Sequence, residues 1–189
     1  KVNSKYSIAY SNLGSVLRDL GDLKEAEQAI RKAIEINPKY SMAYSNLGTI
    51  LRDLGDLKEA EQATRKAIEI NPRYSMAYAN LGTILRDMGD FDDAELAYSK
   101  AIELNPTFIE SYYNQADILI KLNNFSKAFD TYLNAIKINP DKAHTYVLII
   151  SFLNNTDLNI FESNKIKYFI TICLDRDDVN HRDLFTIFN

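Results

Sequence analysis

Asparagine recurs at one position every 34 residues along most of the chain. The four residues are Asn12, Asn46, Asn80 and Asn114. A carboxamide carries both hydrogen-bond donors and an acceptor, so it can bond to the N–H and to the C=O of an extended peptide backbone. This spacing therefore predicts a row of amides that holds a peptide by its backbone.

Hydroxyl and acidic side chains accompany the asparagines at fixed intervals. Three residues after each asparagine stand Ser15, Thr49, Thr83 and Asp117, and seven residues after it stand Asp19, Asp53, Asp87 and Lys121. We predict that these residues, apart from Lys121, line the same partner-binding surface. The alternative is that each asparagine bonds to a neighbouring helix or linker carbonyl and only fixes how repeats stack, since buried polar groups are usually satisfied internally. The two roles are compatible.

An acidic segment near the C-terminus is the other cluster of residues that could bind an ion. It contains Asp175, Asp177, Asp178, His181 and Asp183. Carboxylate and imidazole groups are metal ligands, but their spacing here matches neither a zinc site nor a calcium loop. Helix capping and solvation explain the cluster more simply, so we predict no metal site.

The sequence contains no recognisable catalytic motif. Cys173 falls on an apolar helix face and is interpreted as a small core residue. His144 and His181 have no Ser or Cys partner in a known motif, and no glycine-rich phosphate loop is present. We therefore expect neither an enzyme active site nor a cofactor in this chain.

The candidate residues belong to a repeating unit of 34 residues. Four copies can be aligned, at residues 7–40, 41–74, 75–108 and, more loosely, 109–142. A period in this range is typical of a solenoid, which grows by stacking its units. We assign residues 1–6 to the end of a preceding repeat and its linker, and residues 143–189 to a degenerate repeat with C-terminal capping helices.

Each unit is predicted to form two amphipathic helices. In the second copy, apolar residues at helical spacing precede Gly55, which ends the first helix. Asp56 is expected to cap the second helix, with Glu59 at the spacing of a capping box. Pro72 ends the unit because proline cannot continue a helix. Small residues at fixed places, such as Ala60, let the two helices approach closely.

Composition limits the classes of function. The chain has 189 residues, a net charge of −4 and one cysteine. The acidic balance argues against a nucleic acid partner, which needs a surplus of Lys and Arg on one face. The longest apolar run, from Tyr146 to Leu153, has about eight residues against the roughly 20 of a membrane span. A lone cysteine excludes an internal disulfide and fits a cytoplasmic location.

The repeat resembles the tetratricopeptide repeat family. The matching positions of the second copy are Tyr44, Leu47, Gly48, Leu51, Ala60, Ala67 and Pro72. The resemblance covers about residues 7–142, with Tyr in place of the usual Trp, Thr64 in place of a large apolar residue and Gln115 in place of Leu. It implies an all-α fold, a right-handed superhelical solenoid of antiparallel helix pairs, with the asparagines lining a concave groove.

The resemblance implies a protein–protein interaction module that binds a peptide or partner protein in this groove. Ser11, Ser45 and Ala79 stand where the family's chaperone-tail clamp has a lysine, so a carboxylate clamp is not expected. The row of asparagines is similar to the superhelical domain of O-linked N-acetylglucosamine transferases. A rival hypothesis is therefore a substrate-recruiting arm of a larger glycosyltransferase- or sulfotransferase-like enzyme, with the active site outside this chain.

A third hypothesis is a homo-oligomer that associates through the apolar ends of the solenoid. We expect no nucleic acid partner and no association with a membrane.

Overall fold

The computed structural model of the chain describes residues 2–179, with side chains from residue 5 onward. Within that part the fold is all-α, as predicted. The helices are α1 (Val2–Leu20), α2 (Leu23–Ile36), α3 (Ser41–Leu54), α4 (Leu57–Ile70), α5 (Ser75–Met88), α6 (Phe91–Leu104), α7 (Ile109–Lys121), α8 (Phe125–Ile138), α9 (Ala143–Asn154) and α10 (Ser163–Leu174). A short 3-10 turn, Leu158–Ile160, precedes α10. The part of the predicted C-terminal capping helices from residue 180 onward lies outside the described residues.

Glycine ends the first helix in each of the first three copies, as predicted. The three residues are Gly21, Gly55 and Gly89, with φ of 88°, 89° and 89°. This left-handed conformation is the one that glycine adopts without steric cost. The N–H of Asp56, just after the glycine, bonds to the carbonyl of Leu51 at 2.9 Å and closes the helix end. In the fourth copy Asn123 takes the left-handed conformation, with φ of 58°.

The start of the second helix differs from the expected capping box. Asp56 occupies the N-cap position of α4, but its side chain makes no capping hydrogen bond. Its backbone angles, φ −84° and ψ 60°, are close to those of Asn124 at the start of α8, φ −92° and ψ 64°, so the backbone conformation does not explain the missing bond. In α8, by contrast, Asn124 is the N-cap and its side chain accepts a bond from the N–H of Lys127 at 3.3 Å.

The chain divides into two compact units, Lys1–Asn105 and Pro106–Asn189. The first unit contains the pairs α1–α2, α3–α4 and α5–α6, and α2 and α4 also pack on the first helix of the next pair. In addition, α1 packs directly on α3 and α3 packs on α5. The first helices of this unit therefore lie side by side, and their side chains can bond from one repeat to the next.

Glycine also allows close approach inside each helix pair of the first unit. Gly14 faces Ile30, Gly48 faces Thr64 and Gly82 faces Tyr98. A Cβ atom at Gly48 would lie 2.0 Å from Oγ1 of Thr64. Thr64 is fully buried, and its hydroxyl donates to the carbonyl of Ala60 at 2.9 Å. The threonine that departs from the family pattern is therefore satisfied within its own helix.

Aromatic side chains form the core of the second unit. Phe129 is fully buried, with ring centroids 5.1 Å from Phe161 and 6.2 Å from Phe169. Such tilted and edge-on contacts add to the stabilisation from burial. The apolar α9 has 12 residues, against the roughly 20 of a membrane span. Among the described helices, none has both the length and the apolar character to cross a bilayer.

The N-terminal segment differs from the expected linker over residues 1–6. Helix α1 runs from Val2 through this segment without a break and has 19 residues, against 14 in α3. Ser4 stands where Pro38 stands at the end of the first copy. Because no proline interrupts the backbone hydrogen bonds here, the helix continues.

Candidate functional site

Asn46 lies where two successive first helices meet. From α3 its Nδ2 donates to Oγ of Ser11 and to Oγ of Ser15 on α1, at 3.2 Å in each case. The side chain is half-buried. These bonds connect the first and second repeats through polar side chains.

Asn80 repeats this arrangement one unit later. From α5 its Nδ2 donates to Oγ of Ser45 at 3.0 Å and to Oγ1 of Thr49 at 3.2 Å on α3. The stacking role that the sequence left open for the asparagines is therefore present in the first unit. The partners are hydroxyl groups of the preceding first helix, whereas the sequence suggested carbonyl groups.

The predicted hydroxyl residues of the first unit are themselves hydrogen-bonded. Ser15, Thr49 and Thr83 each bond to the carbonyl four residues earlier, at 3.2, 3.1 and 3.1 Å. Thr83 is also bonded to the phenol of Tyr98 on α6 at 3.0 Å. Burial raises the pKa of Tyr98, against the opposing effect of the Thr83 bond, so the phenol stays protonated at neutral pH.

Arginine and aspartate alternate beside the asparagines. Nε of Arg18 lies 2.6 Å from Asp53, and Nη2 of Arg52 lies 2.7 Å from the same carboxylate. Nε of Arg52 lies 3.7 Å from Asp87, which also pairs with Arg86 at 2.9 Å. In the structure these ion pairs connect α1, α3 and α5.

Two arginines determine the electrostatics of Asp53. Partial burial acts to raise the pKa of Asp53, but the hydrogen bonds from Arg18 and Arg52 outweigh burial and hold the pKa below its ordinary value. The carboxylate is therefore ionised and paired at neutral pH.

The remaining predicted site residues are placed differently. Asn12 and Asp19 are exposed on α1, while Asn114 is half-buried on α7 in the second unit. Asp117, also on α7, accepts a bond from the phenol of Tyr132 at 3.3 Å. Burial, followed by the negative charge of Asp117, raises the pKa of Tyr132, so this phenol remains a donor.

Ser11 and Ser45 accept hydrogen bonds from Asn46 and Asn80, although the sequence indicated them only as positions that lack a clamp lysine. Both are buried. A signal for their role exists, because each stands four residues before a predicted hydroxyl residue. That spacing puts the two hydroxyls on one helix face. The sequence of a single repeat does not show that an asparagine of the next repeat reaches this face.

The acidic segment after α10 is organised by an arginine. Nε of Arg176 donates to Asp178 at 2.7 Å, and the guanidinium lies 4.5 Å from the ring centroid of Tyr146. The bond from Arg176 lowers the pKa of Asp178. His181 and Asp183 lie outside the described residues. Within the part of the chain that the structure describes, no group of three acidic, His or Cys residues is placed to hold a metal ion.

Cys173 is buried on α10, in the apolar core of the second unit, as the sequence predicts. Burial raises the pKa of its thiol to about 12. The reactive species of a cysteine is the thiolate, so this residue is unreactive at neutral pH and serves in packing.

Comparisons with known proteins agree with the helix-pair architecture. Sequence profiles of the tetratricopeptide repeat match residues 5–73, 75–108 and 97–130. No curated protein sequence matches the chain. Among solved structures, PilF of Pseudomonas aeruginosa aligns with 98% of this chain and 83% of its own, at a TM-score of 0.77 and 18% identity.

Two further solved structures have the same fold. MamA aligns with 90% of this chain and 91% of its own, at a TM-score of 0.71 and 23% identity. The first tetratricopeptide domain of Spaghetti (RPAP3), solved with the HSP90 peptide SRMEEVD, covers 64% of this chain and 95% of its own, at a TM-score of 0.61 and 21% identity. At such identities the likeness concerns the fold alone.

Proposed function

Because the chain belongs to the tetratricopeptide repeat family, we propose that it binds an extended segment of a peptide or partner protein along its first helices. The main support for this proposal is that Asn46 and Asn80 occupy equivalent positions on neighbouring first helices. Each is half-buried and is held by hydrogen bonds to two hydroxyl groups. Asn12 and Asn114 hold the same position in the first and fourth copies. The peptide bound to the Spaghetti domain supports a peptide as the kind of ligand.

The charges beside the row favour a ligand segment without a concentrated charge. Asp53 and Asp87 are paired with arginines of their own and neighbouring repeats. A clamp for a terminal carboxylate needs cations that are available to the ligand. Such cations are not supplied by Arg18 or Arg52, which already pair with these carboxylates.

The proposal is tested by selection from a displayed library of random peptides against the whole chain. We expect selected peptides to bind the double variant Asn46→Ala/Asn80→Ala at least tenfold more weakly than the wild type. The matched control is Gln28→Ala/Gln62→Ala, which removes two exposed amides from α2 and α4 of the first two copies. Equal affinity of the wild type and the asparagine variant, or a selection that yields no binder, contradicts the proposal.

A second candidate is a substrate-recruiting arm of a larger glycosyltransferase- or sulfotransferase-like enzyme. The row of asparagines favours it, through its similarity to the superhelical domain of O-linked N-acetylglucosamine transferases. The gene sequence downstream of Asn189 provides the test. A catalytic domain encoded there supports the arm, whereas a stop codon shortly after Asn189 removes it.

The uncovered face of α1 favours self-association with α1 of a second copy. Leu13 is 47% exposed and Val16 55% exposed, whereas the equivalent Leu47 and Ile50 of α3 are 5% and 0% exposed. In α3 this face is covered by α2. We infer that two copies bury this face of α1 by meeting about a two-fold axis, the commonest symmetry of homo-oligomers.

A further inference from the structure

The orientation of the Asn46 amide is fixed by the hydroxyl of Ser15. A serine hydroxyl has one proton to donate. That of Ser15 points to the carbonyl of Ser11, at 3.2 Å. Its oxygen therefore only accepts, and the atom that faces it must be Nδ2 of Asn46, not Oδ1. The amide nitrogen also donates to Oγ of Ser11, at 3.2 Å.

Thr49 fixes the amide of Asn80 in the same way. Its hydroxyl donates to the carbonyl of Ser45 at 3.1 Å, so its oxygen accepts from Nδ2 of Asn80. Oγ of Ser45 accepts the second hydrogen of that amide. In both repeats, therefore, the amide nitrogen has two hydroxyl acceptors inside the protein, one for each of its two hydrogens.

The carbonyl oxygens of the two asparagines remain for a ligand. Within residues 5–179 no hydrogen bond reaches Oδ1 of Asn46 or of Asn80, and neither oxygen is sealed from solvent. An amide with both hydrogens committed can accept but cannot donate. This differs from the sequence-based expectation that each amide bonds to both the N–H and the C=O of a peptide.

We propose that the row reads only hydrogen-bond donors of its ligand. The inference rests on the proposed peptide-binding function and narrows the ligand class to extended segments that present an N–H group to Oδ1 in each of two successive repeats. The ligand's carbonyl groups are not recognised by Asn46 or Asn80. Because Asp53 and Asp87 beside the row are paired with arginines, the donor is a neutral amide N–H in preference to an ammonium group.

Single-atom replacements in the backbone of a peptide selected from the displayed library provide the test. An ester in place of one peptide bond removes the N–H, whereas a thioamide keeps a good N–H donor and weakens the carbonyl acceptor. We expect the ester to weaken binding about tenfold at the positions that face Asn46 and Asn80, as loss of one such bond does. Thioamides at the bonds that flank these positions leave the affinity within twofold.

The variant Thr49→Val is the matched comparison, because it releases one N–H of Asn80 without changing the size of the side chain. In this variant a thioamide opposite Asn80 is expected to weaken binding severalfold, since the amide can now donate to the ligand carbonyl. Thioamides that weaken wild-type binding as much as esters do overturn the inference and leave peptide binding intact. Identical thioamide profiles for wild type and Thr49→Val also overturn it. Failure to select any peptide that depends on the asparagines removes the proposed function itself.

Discussion

At the scale of single residues, Gly48 shows how a missing side chain fixes the distance between two helices. A Cβ at this position would meet Oγ1 of Thr64 at 2.0 Å and the carbonyl of Ala60 at 3.0 Å. We expect Gly48→Ala to lower the free energy of unfolding by about 1–3 kcal/mol through overpacking, as measured by urea denaturation. The additional substitution Thr64→Ala removes one of the two clashes. The double variant Gly48→Ala/Thr64→Ala should therefore lose less free energy of unfolding than the two single variants lose together.

Gly55→Ala is the control for that experiment, because a Cβ there has open space but the residue has φ of 89°. Its cost comes from backbone strain. Thr64→Ala should leave this cost unchanged. If Thr64→Ala reduced the destabilisation of Gly55→Ala as much as that of Gly48→Ala, the packing explanation would be contradicted.

Ser111 is a buried hydroxyl without a hydrogen-bond partner in the described part of the chain. It stands on α7, where the second and third copies have Ala43 and Ala77, both fully buried. An unsatisfied buried hydroxyl costs roughly 1–3 kcal/mol, so Ser111→Ala is expected to raise the free energy of unfolding by about 1 kcal/mol. The exposed Ser151→Ala on α9 measures the helix preference of alanine alone. An equal gain in both variants would show that the buried hydroxyl costs nothing.

At the scale of helices, the sequence predicts the elements well because their ends depend on local chemistry. Gly55 and its equivalents stop first helices by their own backbone freedom, and Pro72 ends the unit by lacking an N–H. The break predicted before residue 7 depends on a proline, and Ser4 stands there instead. The bonds from Asn46 to Ser11 and Ser15 are less predictable, because they depend on how one helix is aligned with the helix 34 residues later.

The ion pairs between first helices carry a pH dependence. The arginine bonds hold the pKa of Asp53 below the value of about 3.9 in an unfolded chain. Ionised Asp53 therefore stabilises the fold well above pH 4, and this contribution is lost as pH falls below 4 towards the folded-state pKa. We expect Asp53→Asn to cost about 0.5 kcal/mol at pH 7, as partly exposed pairs do, and less at pH 3.

Urea titrations of the wild type and Asp53→Asn at the two pH values provide the measurement. Asp19→Asn is the control, because Asp19 holds the equivalent position in the first copy and, among the described residues, forms no ion pair like those of Asp53 with Arg18 and Arg52. A gap between wild type and Asp53→Asn that stays constant from pH 7 to pH 3 would show that the carboxylate charge is not the cause.

At the scale of the whole molecule, the first three repeats differ in the residues that face the glycines of their first helices and keep the asparagine. The residues that face these glycines across the helix pair are Ile30, Thr64 and Tyr98, which differ in size and polarity. Asn12, Asn46 and Asn80 do not change. Under the proposed function, we expect a uniform row of this kind to specify the backbone of a ligand more than its side chains, and to bind a ligand in more than one register.

The uncovered face of α1 predicts the behaviour of the whole molecule in solution. Its exposed apolar residues are Tyr6, Tyr10, Leu13, Val16 and Leu20. Contiguous apolar patches of this kind are typical of interaction surfaces. We expect sedimentation equilibrium to show a dimer at tens of micromolar, as a side-on association of two α1 helices, and the variant Val16→Lys to shift the chain to monomer. The control is Leu96→Lys on α6, which places the same charge at a residue that is 64% exposed outside this face. A wild type that stays monomeric at these concentrations would contradict the prediction. A dimer that both lysine variants retain would exclude α1 as the interface, because burying the unpaired ammonium of Val16→Lys is too costly for the association to survive.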